Sequence, residues 1–380
     1  MTTDTTKDNI ARLFFSLIRC GIGNEEKLPR TPDSEEWQEL YDIAKEQTLL
    51  GIAFMGIERI PKEQRPNVEL LFKWHHQSRT IRELNRELTR KTILVSDKFR
   101  SEGFRNCILK GQGIAQYYPD PELRTPGDID IWLEGGSRKV IEYVKGIVPD
   151  CRPTYHHVDF PVMEDVNIEV HYRPTWMYSP MKNRRLQRYF KQRGEIEFEN
   201  TIATSEGTLH MPTVAFNMVF IPIHIYRHLF DEGVGMRQIL DYYYVLQQPI
   251  DDKEKEECVR ILKSIGLKRF TQALMYVMQE MFGLDEERMI AWPDRKQGEF
   301  LMREIMMAGN FGMNDSRFKQ SGRGYNMPHF RNMMKRSFML ITRHPSETLC
   351  NPFFKIWHTW WMRRRRNTNG QKKNTEKRKH

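Results

Sequence analysis

Strand-like runs are confined to one part of the chain, roughly residues 106–212, and stretches with helical periodicity lie on both sides of it. In the N-terminal stretch, apolar residues recur three and four positions apart, as on the buried face of an amphipathic helix. Pro61 and Pro66 interrupt this pattern, and a long helix is predicted from Val68 to Arg100, with Gly103 as its stop. The residues predicted for the buried stripe of this helix are Leu70, Leu71, Trp74, Ile81, Leu84, Leu88, Thr92, Val95 and Phe99.

The middle part of the chain changes character at Cys107. Its apolar runs are short and are separated by segments rich in glycine and proline, which is typical of strands in a small sheet. The predicted elements are a strand at 107–109, a helix at 114–118, a strand at 129–133, a helix at 138–147, and strands at 155–162 and 168–172. This order predicts a small mixed α/β unit.

After Pro212 the periodicity is helical again. Thr213 is of the type preferred at a helix N-cap. The predicted C-terminal helices are 214–230, 236–248, 251–265, 268–282, 331–341 and 352–366, with a glycine-rich loop at 309–326. We therefore predict an α+β protein, in which a small mixed β-sheet core is flanked by helical N- and C-terminal regions. The predicted regions are 1–105 (helical), 106–212 (α/β core), 213–362 (helical) and 363–380 (basic disordered tail).

The positive charge is concentrated at the C-terminal end. Residues 363–380 contain nine Lys or Arg and one Glu, so they carry +8 of the net charge of +10. The rest of the chain is nearly neutral, which excludes a uniformly basic nucleic-acid-binding surface. An aromatic segment, residues 353–361, precedes this tail. It predicts contact with nucleic acid or an anionic membrane surface, and a merely solvated tail is the alternative.

Cysteine usage and hydropathy indicate the compartment. The five cysteines are widely spaced and form no CxxC pair, so we expect a reduced cytoplasmic protein without a cysteine zinc site. No basic segment followed by an apolar run stands at the start, and no run of 18 apolar residues occurs. We therefore expect neither a signal peptide nor a transmembrane segment.

Asp128 and Asp130 are one residue apart on a predicted strand, so their side chains should project to the same face. Two carboxylates are costly to bury without partners, and hard divalent cations with oxygen ligands are a natural solution. Glu169 on a second strand would add a third carboxylate if the two strands are neighbours. These residues predict a two-metal catalytic site for Mg²⁺, with Mn²⁺ as the alternative. The competing interpretation is an acidic turn and a solvated strand residue.

A glycine-containing turn, Lys110-Gly111-Gln112-Gly113, lies between a predicted strand and helix upstream of the aspartates. Glycine lets the backbone approach phosphates, and a helix N-terminus offers N–H donors. Lys110 and Arg124 are candidate cations for the nucleotide. Lys110 could instead be solvated, Arg124 could form a structural ion pair, and the glycines could only permit a tight turn.

Three further positions have chemical potential. His171 shares the face of Glu169 and either tunes the site or forms a structural hydrogen bond. His224 and His228, and likewise Arg237 and Asp241, are four apart on predicted helices. The histidine pair lacks a third zinc ligand in its neighbourhood, so packing is favoured over zinc. Arg237 and Asp241 either pair with each other or take part in nucleotide or acceptor binding.

A family resemblance is carried by four segments taken together: Ile108 to Gly113, Tyr118 to Pro121, Arg124, and Gly127 to Ile131. Through these segments the chain resembles the uncharacterised nucleotidyltransferase family of bacteria, which is a branch of the polymerase β-like superfamily. The run Ile168 to Arg173 is similar to its later acidic strand, and the resemblance covers roughly residues 8–280. It implies a nucleotidyltransferase core with Mg²⁺ held by three acidic residues. In one respect the chain departs from the superfamily, whose phosphate loop has glycine or serine where this chain has Gln112, and Gly111 lies 17 residues before Asp128.

The resemblance implies a transferase that moves a nucleoside monophosphate from a nucleoside triphosphate to an acceptor that the sequence does not identify. Two alternatives remain. The departure at Gln112 favours a non-catalytic, antitoxin-like or regulatory protein on the same fold. A phosphotransferase that moves the γ-phosphate is the other.

Overall fold

The computed structural model describes residues 2–308 and 327–376, with side chains over 9–307 and 331–362. The N-terminal helices are α1 (Thr2–Ile22), α2 (Ser34–Glu46), α3 (Leu50–Arg59) and α4 (Val68–Ser101). Asp33 caps α2 through a reciprocal capping box with Glu36, and the Asn67 side chain accepts from the Leu70 N–H at the start of α4. The helical N-terminal region predicted from the sequence is confirmed.

The buried stripe of α4 differs from the prediction at Leu84, which is 56% exposed. The buried line runs through Ile81, Asn85, Leu88 and Thr92, with spacings of four, three and four residues. That line passes beside Leu84, because an α-helix of 3.6 residues per turn places positions 81, 85 and 88 on one face. A polar residue, Asn85, therefore holds the position that the sequence assigned to a leucine.

The middle of the chain forms the sheet. Its elements are β1 (Asn106–Leu109), α5 (Gly111–Ala115), β2 (Ile129–Leu133), α6 (Gly136–Ile147), β3 (His157–Asp159), β4 (Ile168–His171), α7 (Pro180–Glu199), β5 (Thr201–Thr204) and β6 (Gly207–His210). The four-stranded sheet has the order β1-β2-β4-β3, in which β2 and β4 are parallel and the two outer pairs are antiparallel. The small mixed sheet is thus confirmed, and β5 and β6 form a separate hairpin that the sequence analysis did not identify.

The helix after β1 begins at Gly111, earlier than the predicted start at Ile114. Lys110, between the strand and the helix, has a positive φ of 48°, a conformation that few residues other than glycine adopt. This backbone reversal turns the chain from strand directly into helix. The predicted helix start was wrong because sequence periodicity does not reveal such a conformation at a lysine.

The C-terminal helices are α8 (Val214–Asp231), α9 (Met236–Gln247), α10 (Asp252–Ser264), α11 (Lys268–Phe282), α12 (Arg295–Ala308), α13 (Met327–Met339) and α14 (Pro345–Glu376). The side chain of Thr213 caps α8 as predicted. The predicted loop at 309–326 lies outside the described residues. No helix in the described ranges is both long enough and apolar enough to cross a membrane.

The last helix, α14, contradicts two predictions. It starts at Pro345 instead of Pro352, which lies inside it. Both prolines suit a first helical turn, so the sequence alone did not distinguish them. The backbone is also helical through residues 363–376, where a disordered tail was predicted. Arg, Lys and Gln are good helix formers, and no proline follows Pro352 to stop the helix.

The two faces of the sheet pack against different partners. Ile129, Ile131 and Leu133 of β2 lie in a hydrophobic cluster with residues of α4 and α6. Trp132, on the opposite face, lies 5.6 Å from Phe216 of α8 between ring centroids and belongs to the main core. Because strand side chains alternate, Asp130 shares the face of Trp132 and is directed toward the C-terminal helices.

Candidate active site

The acidic residues predicted from the sequence are brought together by adjacent parallel strands. Asp130 on β2 and Glu169 on β4 are at paired positions, and Asp128 lies one residue before β2 begins. His171, two residues after Glu169, reaches both carboxylates: its Nε2 is 2.9 Å from Asp130 Oδ1 and 3.4 Å from Glu169 Oε2. The two strands are therefore neighbours, as the sequence analysis required.

Lys110 faces the aspartates. Its ammonium Nζ lies 3.0 Å from Asp130 Oδ2 and 3.9 Å from Asp128 Oδ1, so the solvated alternative for this residue is wrong. Burial alone would lower the pKa of Lys110, but the carboxylates of Asp128, Asp130 and Glu169 outweigh it and raise the pKa above its ordinary value. The lysine is therefore a fixed positive charge within the site.

The two aspartates have unlike electrostatic surroundings. Burial and the neighbouring charge of Asp130 raise the pKa of Asp128. Asp130 is buried too, but Lys110 and His171 outweigh that penalty and its pKa falls. The negative charge of Asp130 is thus better neutralised by its neighbours than that of Asp128. A bound cation would therefore stabilise the ionised form of Asp128 more than that of Asp130.

Histidines stabilise the charge of Glu169. Burial would raise the pKa of Glu169, but His157 and His171 hold it well below its ordinary value. Conversely, the carboxylates of Asp130 and Glu169 overcome the burial of His171 and raise its pKa to about 9. The structural hydrogen bond considered for His171 is therefore present, and it joins the two acidic strands.

Asp128, Asp130 and Glu169 are suited to hard divalent cations. They offer only oxygen donors, which Mg²⁺ and Mn²⁺ prefer. Asp130 and Glu169 are grouped with His171 as potential ligands, whereas Asp128 does not belong to such a group among the described residues. In the protein by itself, the positive charge beside them comes from Lys110 and His171. The fit of this donor set is consistent with the divalent metals that the sequence analysis predicted.

Gln112 does not direct its side chain toward the acidic residues. Its Nε2 donates to Asn85 Oδ1 (2.6 Å), to the Asn85 carbonyl (3.2 Å) and to Thr89 Oγ1 (2.7 Å). The side chain is therefore an anchor between α5 and α4, and of Gln112 only the backbone is left for the predicted role in nucleotide binding, which stays a prediction. The absence of a hydroxyl at this position accordingly says little about phosphate binding.

The two glycines of the turn have different surroundings. Gly111 has a positive φ of 53° and lines the cleft beside Asp128. Gly113 is buried, and a Cβ there would lie 3.1 Å from Met211 Cβ. Gly113 thus allows close packing, while Gly111 is the glycine that faces the site.

Arg124 is committed to an internal ion pair. Its Nε and Nη2 donate to the two carboxylate oxygens of Asp241 at 2.7 and 2.8 Å, and the Tyr118 hydroxyl donates to the same carboxylate at 2.7 Å. The structural ion pair considered for Arg124 is therefore present. The predicted pairing of Arg237 with Asp241 is wrong, because Arg124 occupies both carboxylate oxygens.

Arg237 instead approaches the segment before Asp128. Its Nη1 donates to the carbonyls of Thr125 and Pro126 at 2.9 and 3.3 Å. The side chain is 92% buried, yet its Nε has no hydrogen-bond partner among the described residues. A Cβ on Gly127 would lie 3.8 Å from Arg237 Nη1, so the absence of a side chain there leaves the guanidinium uncovered.

A narrow cleft opens between the strand–helix turn and the helices α8 and α9. The residues that line it are Lys110, Gly111, Arg124, Gly127, Asp128, Ile221, His224, Ile225, Arg237, Gln238 and Asp241. It thus combines glycine backbone, cationic groups and an apolar wall from α8 beside the acidic residues, as expected of a pocket that orients a small ligand.

The histidines of α8 contact each other, with Nε2 atoms 3.0 Å apart. His228 Nδ1 also lies 3.4 Å from Glu232 Oε2. Within the described part of the chain, the groups of three or more potential metal ligands do not include this pair. The contacts that the structure gives these histidines are thus ring and polar contacts, and the interpretation of the pair as packing residues stays a prediction.

Sequence analysis missed His156 and His157 at the start of β3. His157 is paired with His171 in the antiparallel register of β3 and β4, and its Nδ1 lies 3.0 Å from Glu169 Oε2. The signal was present as strand alternation, since His157 and Asp159 are two apart just as Glu169 and His171 are. Only the register showed that the two pairs face each other.

Comparison with known proteins gives one decisive match. A family described as uncharacterised nucleotidyltransferase matches residues 33–283. No curated protein matches significantly. Among solved structures, an antigenic nucleotidyltransferase-like protein from Paracoccidioides brasiliensis is similar at 11% identity, over 54% of this chain and 94% of that one, with a TM-score of 0.29. The family match spans well over half of the chain and contains every acidic residue of the site, and this chain belongs to the uncharacterised nucleotidyltransferase family.

Proposed function

We propose that this protein transfers a nucleoside monophosphate from a nucleoside triphosphate to an acceptor, with release of pyrophosphate. The observation that carries the proposal is the meeting of Asp130 and Glu169 at paired positions of parallel strands, with Asp128 beside a cleft that contains cations. Membership of a nucleotidyltransferase family supports the same reaction class. The acceptor is left open by this argument, since a fold does not fix a substrate.

Asp128 and Asp130 would hold two divalent metal ions, and Glu169 would hold the ion nearest the acceptor. Bound Mg²⁺ or Mn²⁺ would neutralise the triphosphate and activate the attacking hydroxyl. His171 holds Asp130 and Glu169 in place through its Nε2. It is therefore a positioning residue in this proposal.

Lys110 and Arg237 are the groups we propose for binding the triphosphate. Lys110 lies between the cleft and the aspartates, and Arg237 offers a buried guanidinium with an unpartnered Nε. A guanidinium binds phosphate oxygens in a bidentate manner, and both groups are cationic at neutral pH. Gly111 would let the backbone approach the phosphates. Arg124, held by Asp241, would instead position the segment that leads to Asp128.

Labelled ATP tests the proposal. The protein is incubated with Mg²⁺, cell extract, and ATP labelled at either the α- or the γ-phosphate. Transfer of the α-label to a product supports nucleotidyl transfer, and transfer of the γ-label alone would replace it with kinase chemistry. If neither label is transferred and calorimetry detects no metal-dependent ATP binding, the antitoxin-like or regulatory alternative takes its place.

We further propose that α14 contacts an anionic membrane surface. Leu349, Phe353, Ile356 and Trp360 are spaced four, three and four residues apart and are 48–74% exposed, so they form an apolar stripe on one helix face. Four consecutive arginines follow at 363–366. An apolar stripe beside a basic segment is the pattern of helices that lie on anionic lipid.

All five cysteines are free, which supports a reducing compartment, and we propose the cytoplasm.

A further inference from the structure

We propose that His156, His157 and His171 form a second metal site, which binds Zn²⁺ and shares Glu169 with the carboxylates assigned to Mg²⁺. The site lies where β3 and β4 pair, and Glu169 and His171 join it to Asp130. It goes beyond the proposed nucleotidyl transfer and does not depend on it, because these ligands would bind the ion without a nucleotide.

The first argument is the convergence of ring nitrogens. His156 Nε2 lies 3.0 Å from His157 Nδ1, and His157 Nδ1 lies 3.0 Å from Glu169 Oε2. One ligand atom from each of the three imidazoles lies within 4.8 Å of the others. Tetrahedral zinc sites have metal–nitrogen distances of about 2.0–2.1 Å, which separates their ligand atoms by roughly 3.3 Å. Small side-chain rotations would therefore enclose an ion.

The second argument comes from the other nitrogen of each ring. His156 Nδ1 is 3.2 Å from Thr154 Oγ1, and His171 Nδ1 is 3.4 Å from the Arg173 carbonyl. His157 Nε2 lies 3.7 Å from Asp159 Oδ1. Metal-binding histidines typically direct their second ring nitrogen to a hydroxyl, carbonyl or carboxylate, which fixes the ring orientation and tautomer. All three imidazoles have such an outward partner, which leaves one nitrogen of each ring for the ion. In His171 this nitrogen is Nε2, which contacts Asp130 in the protein by itself and would exchange that contact for Zn²⁺.

The third argument concerns the choice of ion. Three imidazoles and one carboxylate are a nitrogen-rich set, which suits Zn²⁺ and similar transition metal ions, whereas Mg²⁺ prefers oxygen ligands and keeps several waters. The ring of Trp176 lies 4.0 Å from that of His156 between centroids, which shields one side of the cluster from water. The two neighbouring sites would thus select different ions by ligand type.

Zinc binding to the metal-stripped full-length protein tests the inference, with no nucleotide present. We compare the wild type with the double variant His156→Gln/His157→Gln. The control is His75→Gln/His76→Gln, which alters an adjacent and exposed histidine pair on α4. We expect one tightly bound Zn²⁺ in the wild type and the control, and a Kd raised about 100-fold or more in the double variant. Millimolar Mg²⁺ should not displace the Zn²⁺.

A second variant covers the case in which the double variant does not fold. Asp159→Asn changes a side chain that is 54% exposed and removes the outward partner of His157, so it should raise the Kd for Zn²⁺ about 10-fold with the ligands intact. Equal Zn²⁺ affinity in the wild type and in the folded variants would overturn the site. Displacement of Zn²⁺ by Mg²⁺ would also overturn it, because the ion would then occupy the carboxylates.

Discussion

At the scale of single residues, Asp130 contacts more charged groups of the site than Asp128 does. It is 2% exposed, it accepts a hydrogen bond from His171, and its second oxygen lies beside the Lys110 ammonium. A buried carboxylate with two positive neighbours stays ionised, which is the state a metal ligand needs. Asp130 therefore contributes charge to the proposed catalysis and links β2 to β4 and to the turn between β1 and α5.

Replacing Asp130 with Asn should lower nucleotidyl transfer about 100-fold or more, because it removes a charge from the proposed metal site without changing the side-chain size. Steady-state assays would measure the loss. The fold should persist, with a cost of about 1–3 kcal/mol from the altered buried hydrogen bonds. The control is Asp165→Asn, which removes an exposed carboxylate paired with Lys91. Wild-type turnover in Asp130→Asn would exclude the catalytic assignment.

Replacing Arg237 with Gln should raise KM for the nucleoside triphosphate about 10-fold or more, because a charged hydrogen bond to phosphate contributes about 1.5–3 kcal/mol. Titration calorimetry with a non-hydrolysable analogue would measure the affinity directly. Arg138→Gln, on the exposed face of α6, is the control. An unchanged affinity in a correctly folded Arg237→Gln protein would refute the phosphate role.

At the scale of elements, α4 is the scaffold against which the active-site segments are held. Asn85 Nδ2 donates to the carbonyls of Pro121, Glu122 and Arg124, while Asn85 Oδ1 accepts from Gln112. One buried amide thereby ties the loop before Asp128 and the helix α5 to the same point on α4. Such a network is satisfied only when every member is present.

Replacing Asn85 with Ala should destabilise the protein by about 2–4 kcal/mol, because it leaves several buried carbonyls and the Gln112 amide without partners. It should also lower activity, since the segment leading to Asp128 loses its anchor. Chemical denaturation and turnover would be measured together. Thr80→Ala is the control, because the Thr80 hydroxyl donates to the His76 carbonyl within α4 and takes no part in this network. A destabilisation below about 0.5 kcal/mol would contradict the scaffold role.

The stripe on α14 gives a prediction for membrane binding. Phe353→Glu/Trp360→Glu should weaken binding to vesicles that contain anionic lipid about 10-fold or more, because it replaces two apolar contacts with repelled charges. Deleting the residues after Met362 should reduce the salt-dependent part of the binding. The matched control is Phe72→Glu on α4, a phenylalanine that is 69% exposed.

Cosedimentation at low and physiological salt would measure these effects. Equal vesicle binding by the wild type, the double variant and the truncated protein would end the proposal for α14. Binding of RNA in place of vesicles, lost on truncation, would redirect it to nucleic acid.

At the scale of the whole molecule, helices from both ends of the chain enclose the sheet and share a core. The main hydrophobic cluster includes residues of α1 to α4, of β1 and β2, and of α8 to α11. The segment between α13 and α14 extends this packing through His344, whose ring lies among those of Tyr226, Phe230 and Phe270. Region boundaries near residues 105 and 212 remain a proposal, which limited proteolysis would examine, whereas position 362 lies inside α14.

Stability should decrease below neutral pH because His344 is buried in its neutral form. Burial, with Lys182 and Arg343 nearby, lowers its pKa from 6.5 to about 4. Below pH 6.5 the unfolded chain binds this proton first, so stability is lost as the pH falls from 6.5 to 4, by about 3 kcal/mol at most. His344→Phe should reduce this loss. The free energy of unfolding, measured between pH 7 and 4, would contradict the account if its decrease were the same in both proteins.

The sequence by itself determined many of the elements, although not α7 or the β5–β6 hairpin, and it indicated the type of chemistry. Helical periodicity, the cap at Thr213 and the β-type run at 129–133 follow from local side-chain patterns, and the structure has these elements. Asp128 and Asp130 are one residue apart on a strand, so strand alternation predicted that they share a face. Together with Lys110 and Glu169, these two aspartates indicated the family. Local patterns gave wrong helix starts where the neighbouring residues do not reveal the backbone conformation. This happened at Lys110, which has a positive φ, and at the start of α14.

Only the tertiary structure decided which groups meet. The register of β3 against β4 places His156 and His157 near Glu169. The packing of α9 pairs Asp241 with Arg124 and places Arg237 beside the cleft. The fold of α4 directed Gln112 away from the site. These contacts join residues far apart in the chain, and their partners depend on strand pairing and on competition for buried hydrogen bonds, which no local pattern encodes.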